Sequence, residues 1–278
     1  SLRTENGAVV RADGHRLGYG ELASAAMAQP VPEQVKLKDA KEFRLIGHPT
    51  RRLDAQAKST GQQDFGLDVR LPGQLTALIA HPPVFGARLA AVDDAAARAV
   101  MGVKAVLRVP LGHNGGEGVA VVAEGYWPAQ VGREALKLQW DTSGVDKVDS
   151  ARQLAQYREL AAKPGARHFD ADMAPLKTAP NKIEAEFVFP YLAHAPMEPL
   201  NCTVRIGTES AELWIGTQLP GMDGQAAARV LGLKPEQVKV HVQMAGGGFG
   251  RRAVPSSDYV VEACELAKAA RAAGLDAP

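Results

Sequence analysis

The densest chemical signal in the chain is Ala245-Gly246-Gly247-Gly248-Phe249-Gly250-Arg251-Arg252, which follows the β-rich run 237–244. Glycine at a strand end lets backbone approach a ligand closely and adopt φ values that a Cβ forbids. Such loops often hold phosphates, and two phosphate signatures can be tested by spacing. A dinucleotide fingerprint needs Gly-x-Gly-x-x-Gly, yet counting from Gly246 and Gly248 places Arg251 at the third position. A P-loop needs Lys and then Ser or Thr after its last glycine, where Arg251 and Arg252 stand. Pro255 also separates the loop from the helix that follows, so both signatures fail, and flavin or nicotinamide binding loses its support. A plain strand-to-helix turn remains as the bland alternative. Arg251 and Arg252 have two open readings: guanidinium forks for phosphate, or solvated surface residues.

Other candidate groups are sparse. Cys202 and Cys264 are too few for an iron–sulfur cluster and too far apart for a zinc knuckle, so they read as two buried free thiols. The seven histidines include no His-x-x-x-His pair on an expected helix, and no protein-ligated metal site is visible. A net charge of +1 provides no basic footprint for nucleic acid, and 5% aromatic residues are too few for base-stacking platforms. No apolar run approaches the roughly 20 residues of a membrane helix. Ser1-Leu2-Arg3 does not open a signal peptide.

The elements that must position the loop follow from pattern. A hairpin is expected around Asp13-Gly14, then a helix over 19–28 and a connector through Pro30 and Pro32 to Lys41. This piece, 1–42, is too small for a core of its own and reads as a remnant of a larger domain. Strands are expected over 75–80, 89–92, 103–109 and 119–123, with a turn at Gly115-Gly116. Helices are expected over 95–101, ending at Gly102, and over 128–136. This alternation makes 43–140 an α/β unit. Residues 141–180 are polar and read as a linker carrying one helix, 148–162. A second unit, 181–278, is expected to hold strands over 183–189, 202–206, 211–217 and 237–244. Its helices fall over 224–231 and 257–273.

Several separated motifs, in order, resemble the xanthine dehydrogenase family of molybdenum hydroxylases. The glycine loop Gly246-Gly247-Gly248-Phe249-Gly250 resembles the family's cofactor loop. Leu192-Ala193-His194-Ala195-Pro196-Met197-Glu198-Pro199-Leu200-Asn201-Cys202-Thr203, Trp214-Ile215-Gly216-Thr217-Gln218 and Arg251-Arg252 point to the branch that contains the isoquinoline 1-oxidoreductase β chain. Upstream, Asp64-Phe65-Gly66-Leu67-Asp68-Val69-Arg70-Leu71-Pro72-Gly73, the 119–123 run and Tyr126-Trp127 are similar to the family's α/β hammerhead domain. The fold class implied is α/β (α+β): a hammerhead-like domain followed by the first part of a molybdopterin-binding domain.

The resemblance implies a molybdenum ion held by a pterin dithiolene, in the cytosine dinucleotide form, with iron–sulfur clusters on a partner subunit. Gln218 matches the glutamine whose amide lies near the molybdenum oxo group, where an N–H donor suits an oxygen acceptor. Gly247, Gly248, Phe249, Gly250 and Arg251 match the cofactor-binding loop. The implied activity is hydroxylation of N-heterocycles, or oxidation of aldehydes, with water as oxygen source. Ala253 stands where the purine-oxidising branch has an acidic residue, so purines are not expected as substrates. The family's general base is a glutamate far downstream, which is not expected within this chain. The implied partners are the small substrate, the iron–sulfur subunit and the remainder of the catalytic subunit. The compartment stays open between periplasm and cytoplasm. The competing reading is a module that folds and docks to a partner without binding cofactor.

Overall fold

The structure, a computed structural model, describes residues 1–35, 37–112, 116–166 and 171–278. Gly115 of the expected turn, Lys36 of the connector and 167–170 of the linker region lie outside the described residues. Contacts divide the chain into two compact units, Ser1–Gln56 and Ala57–Pro278.

In the first unit, β1 (Leu2–Glu5), β2 (Ala8–Arg11) and β3 (Arg16–Gly18) form an antiparallel sheet in that order, and the Asp13-Gly14 hairpin is present. Gly14 has φ of 87° and occupies the left-handed position that the turn requires. Helix α1 (Tyr19–Met27) follows. Among the described residues, the only buried apolar side chains here are Ala8 and Val10, on one face of β2, so this unit has little core. Helix α2 (Ala55–Ser59) spans the boundary between the units.

The second unit holds two cores. One belongs to the antiparallel sheet β4–β7–β6, built from β4 (Thr76–Ala80), β6 (Val103–Pro110) and β7 (Glu117–Ala123). From Gly118 to Ala123, β7 is buried at every position, which is why its sequence shows no polar alternation. Strands β5 (Arg88–Asp93) and β8 (Lys137–Asp141) pair separately, and α3 (Ala95–Arg98) and α4 (Tyr126–Glu134) complete this half. Ala97, Val106, Val119 and Val121 form its packed centre. Helices α5 (Ser150–Ala161) and α6 (Ala174–Thr178) lie in the polar stretch that follows.

The other core belongs to β9 (Thr203–Ile206), β10 (Ala211–Ile215) and β11 (Val238–Val242), with β10 central, antiparallel to β9 and parallel to β11. On β10, Ala211, Leu213 and Ile215 face inward while Glu212 and Trp214 face out. Full burial of Leu213 and Ile215 contributes roughly 2–3 kcal/mol each. Helices α7 (Pro220–Leu231) and α8 (Asp258–Ala272) cover this sheet, and α8 also packs against β6. Pro220 opens α7 at its first turn, four residues before the expected start, and Gly232 ends it in the left-handed conformation.

One expected strand is absent. Residues 183–189 carry the alternation Ile183-Glu184-Ala185-Glu186-Phe187-Val188-Phe189, yet they pair with no strand among the described residues. Ile183 and Phe189 are exposed, and Glu186 instead meets Arg158 of α5 at 2.6 Å. β-Propensity needs a partner ladder to become a strand, and none reaches this segment.

Candidate functional site

The loop after β11 leaves the sheet through an isolated parallel bridge between Met244 and Phe65. Gly247, Phe249 and Gly250 then adopt φ of 108°, 53° and 90°. Left-handed φ is free for glycine but costs on the order of 1 kcal/mol for an aromatic residue. Phe249 is also 76% exposed, so a large apolar ring is held out in a strained conformation. That ring is no core aromatic, which is the bland role for a phenylalanine between glycines. Among the described residues, the N–H groups of Gly247, Gly248, Phe249 and Gly250 meet no protein acceptor. The backbone turns instead through carbonyls, with Arg251 N–H bonded to the Gly248 carbonyl at 2.9 Å.

Gln218 sits just beyond β10, the strand beside β11, and its side chain lies against Gly248. A Cβ on Gly248 would stand 2.8 Å from Gln218 Oε1. The structure thus brings Gln218 and the loop together. One carboxamide and a run of four unmatched N–H donors line the same surface, which suits electron-rich oxygen or sulfur atoms. Among the described residues no group of three or more His, Cys, Asp or Glu side chains is arranged to hold a metal ion. The loop's donor chemistry fits a metal that brings its own organic ligand.

The two arginines separate. Arg251 makes a bidentate pair with Asp258 at 2.9 and 2.8 Å, which engages two of its five N–H donors. Arg252 is 1% exposed and fulfils neither reading that the sequence left open, phosphate ligand or solvated surface residue. Its Nε donates to the Gly247 carbonyl at 2.8 Å and its Nη1 to the Gly216 carbonyl at 3.0 Å. Its Nη2 donates to the Glu198 carbonyl at 3.0 Å and to Glu198 Oε2 at 2.9 Å.

Glu198 belongs to one of the sequence motifs, but the motif alone gives it no role. It is 8% exposed, and its carboxylate gathers three segments. Oε2 accepts from Gly246 N–H at 2.7 Å, while Oε1 accepts from Leu67 N–H at 3.1 Å and from Asn201 Nδ2 at 2.9 Å. The Glu198 N–H in turn donates to the Gly246 carbonyl at 3.1 Å. The available signal was an acidic residue flanked by prolines, Pro196-Met197-Glu198-Pro199, in a segment with little else polar.

Near the loop runs a cavity of about 1140 Å³, between β4 and α8. Ile79, Pro83, Phe85, Leu111 and Leu266 line its apolar wall, and Arg251 and Asp258 join it to the loop. Across it, His81 Nε2 meets Glu262 Oε2 at 2.8 Å. The Glu262 carboxylate raises the His81 pKa, partly offset by burial. Tyr259, on the same helix turn as Asp258, is pushed up to about 12 by burial and by Asp223. Cys202 and Cys264 both pack into the β9–β10–β11 core as free thiols. Burial raises Cys202 well above the ordinary thiol range and carries Cys264 to about 12.

Residues 161–274 match the family profile of the molybdopterin cofactor-binding domain. The beta subunit of isoquinoline 1-oxidoreductase from Brevundimonas diminuta is 32% identical over 259 residues, covering 88% of this chain and 32% of that protein. One subunit of the nicotinate dehydrogenase of Pseudomonas putida is 25% identical over 96% of this chain and 23% of its own length. The crystal structure of quinoline 2-oxidoreductase from Pseudomonas putida 86 superposes with a TM-score of 0.56 at 20% identity, over 76% of this chain and 32% of that one. The chain therefore spans about a third or less of the proteins it matches. Residues 161–274 therefore carry a molybdopterin cofactor-binding domain, and the chain as a whole is similar to the β chain of isoquinoline 1-oxidoreductase and shares its fold with molybdenum hydroxylases.

Proposed function

We propose that this chain is part of the catalytic subunit of an oxidoreductase that hydroxylates N-heterocycles, or oxidises aldehydes, with water as oxygen source. The observation that carries this reading is the strained, exposed Phe249 within four unmatched backbone N–H groups, with the Gln218 side chain against Gly248. A bound molybdenum–pterin group would supply the two-electron oxidation and the activation of water. This chain's residues would hold that group and shape its surroundings. The N–H groups of Gly247, Gly248, Phe249 and Gly250 would donate to its electron-rich atoms. Gln218, whose side chain lies against Gly248, would donate an amide N–H to an oxygen acceptor of that group. The exposed Phe249 ring would offer an apolar face to the bound group. Arg251 would offer a phosphate of a cytosine dinucleotide form the N–H groups not bonded to Asp258.

The corresponding organisation is a remnant over 1–42, a hammerhead-like domain over 43–140, a linker over 141–180 and the first part of the cofactor domain over 181–278. Its partners are an iron–sulfur subunit and the remainder of the catalytic subunit. Support comes from relatives that are themselves named as subunits, one for isoquinoline and one for nicotinate. Ala253 at the loop's end, with no carboxylate or amide, favours substrates other than purines. The test is to measure molybdenum and pterin per polypeptide in protein co-purified with its complement. Near-stoichiometric values support the reading. A folded, partner-bound chain without either would establish the docking module instead.

A further inference from the structure

We propose that Glu198 and Arg252 are positioning residues, which fix the glycine loop and the Gln218 strand end in one frame so that both meet the same cofactor. The inference rests on the molybdopterin reading above. A buried ion pair is by itself weak evidence for stability, because desolvation of two charges offsets their attraction and an apolar pair often does as well. What an apolar pair cannot do is direct hydrogen bonds. Here the directions are specific. Arg252 reaches the Gly247 carbonyl inside the loop and the Gly216 carbonyl two residues before Gln218. Its own main-chain carbonyl accepts from the Gln218 N–H at 3.1 Å. Glu198 holds the loop's first residue from both sides, through Gly246 N–H and the Gly246 carbonyl. Every bond the pair makes to the loop uses Gly246 N–H or a carbonyl, which leaves the N–H groups of 247–250 unused.

The arginine fork is needed for this task. A planar guanidinium serves four acceptors in fixed directions, whereas a lysine ammonium keeps the charge but cannot span them. The experiment therefore uses Arg252→Lys and Glu198→Gln, singly and together, in the protein co-purified with its complement. Three quantities are read: molybdenum and pterin per polypeptide, hydrogen exchange of peptides over 244–252 and 119–123, and thermal melting. We expect cooperative melting in all variants and faster exchange over 244–252 with 119–123 unchanged. Cofactor content should fall about tenfold, as for other groups that orient a metal's surroundings. The double variant should lose no more than the worse single one, because the two residues act as a unit. Wild-type cofactor content in Arg252→Lys would overturn the proposal. So would equal loss of protection at 119–123, or loss of cooperative melting in both single variants, since either makes the pair a general core element. If the wild-type protein itself holds no molybdenum, the molybdopterin reading fails. Exchange over 244–252 then still decides whether the pair fixes the loop.

Discussion

Two nearby glycine positions in the loop make opposite demands, and alanine at each should separate stability from binding. A Cβ on Gly246 would stand 2.5 Å from Glu198 Cβ, inside a buried and hydrogen-bonded arrangement that has no room to yield. Gly246→Ala is therefore expected to destabilise the protein by roughly 1–3 kcal/mol, as overpacking does, and to lower the melting temperature. A Cβ on Gly248 would meet only the end of the Gln218 side chain, at 2.8 Å. That chain can swing away, so Gly248→Ala should leave melting within about 0.5 kcal/mol of wild type. It should nevertheless displace the amide and reduce cofactor content or turnover in the assembled enzyme. Melting curves and molybdenum content of the two variants check both statements; an unstable Gly248→Ala would place Gln218 in the core instead. The thiols give an independent residue-scale check. Since burial raises both Cys202 and Cys264, neither should be extensively thiolate at about pH 8. Alkylation of the folded protein by iodoacetamide should be much slower than of the unfolded chain.

Strand β4 and helix α8 are tied at one end by His81 and Glu262, and that tie depends on pH. Glu262 raises the His81 pKa above the ordinary value of about 6.5, against opposition from burial and the Arg133 charge. The folded state thus binds the proton more tightly than the unfolded chain. The resulting stabilisation is fully present below about pH 6.5 and is lost as pH rises through the higher folded value. His81→Gln should lower the melting temperature at about pH 5.5 more than at about pH 9, and a difference equal at both would remove the charge from the argument. His81 is half exposed, so the effect should stay below about 1 kcal/mol. At this scale the sequence was readable where an element's own residues decide its form. The apolar run of β7 and the Asp13-Gly14 turn carry their signal locally, whereas the helix expected to run to Gly102 ends at Arg98. The sequence was less readable where distant residues decide. Residues 183–189 have the alternation of a strand but no ladder to join, and the 137–141 strand was not anticipated although Leu138 and Trp140 alternate with polar neighbours. The site shows the same division. Gln218 and the glycine loop were legible as motifs. The Glu198–Arg252 pair was not, because its meaning lies in carbonyls and N–H groups contributed by Gly216, Gly246 and Gly247.

For the molecule as a whole, the proposed function raises the question whether these 278 residues hold a general base, and the carboxylates near the loop bear on it. Hydroxylation with water needs a general base within hydrogen-bonding reach of the oxygen that loses its proton. A carboxylate whose oxygens are already turned toward other donors is not placed to reach that proton. Glu198 accepts from Gly246, Leu67, Asn201 and Arg252. Asp258 is held by both arms of Arg251, Glu262 faces His81, and Asp223 is buried against the Thr217 hydroxyl. Each of these four acids therefore has a structural partner, and none is aimed freely at the surface formed by Gln218 and the loop. The 278-residue chain alone, supplied with cofactor, an N-heterocycle or aldehyde and an artificial electron acceptor, is expected to show no multiple turnovers. Adding the remainder of the catalytic subunit should restore them. Sustained turnover by the chain alone would mean that one of these paired acids opens to act as base. Glu262→Gln and Asp258→Asn would then identify it by changing the limb of the pH–rate profile that reports the base.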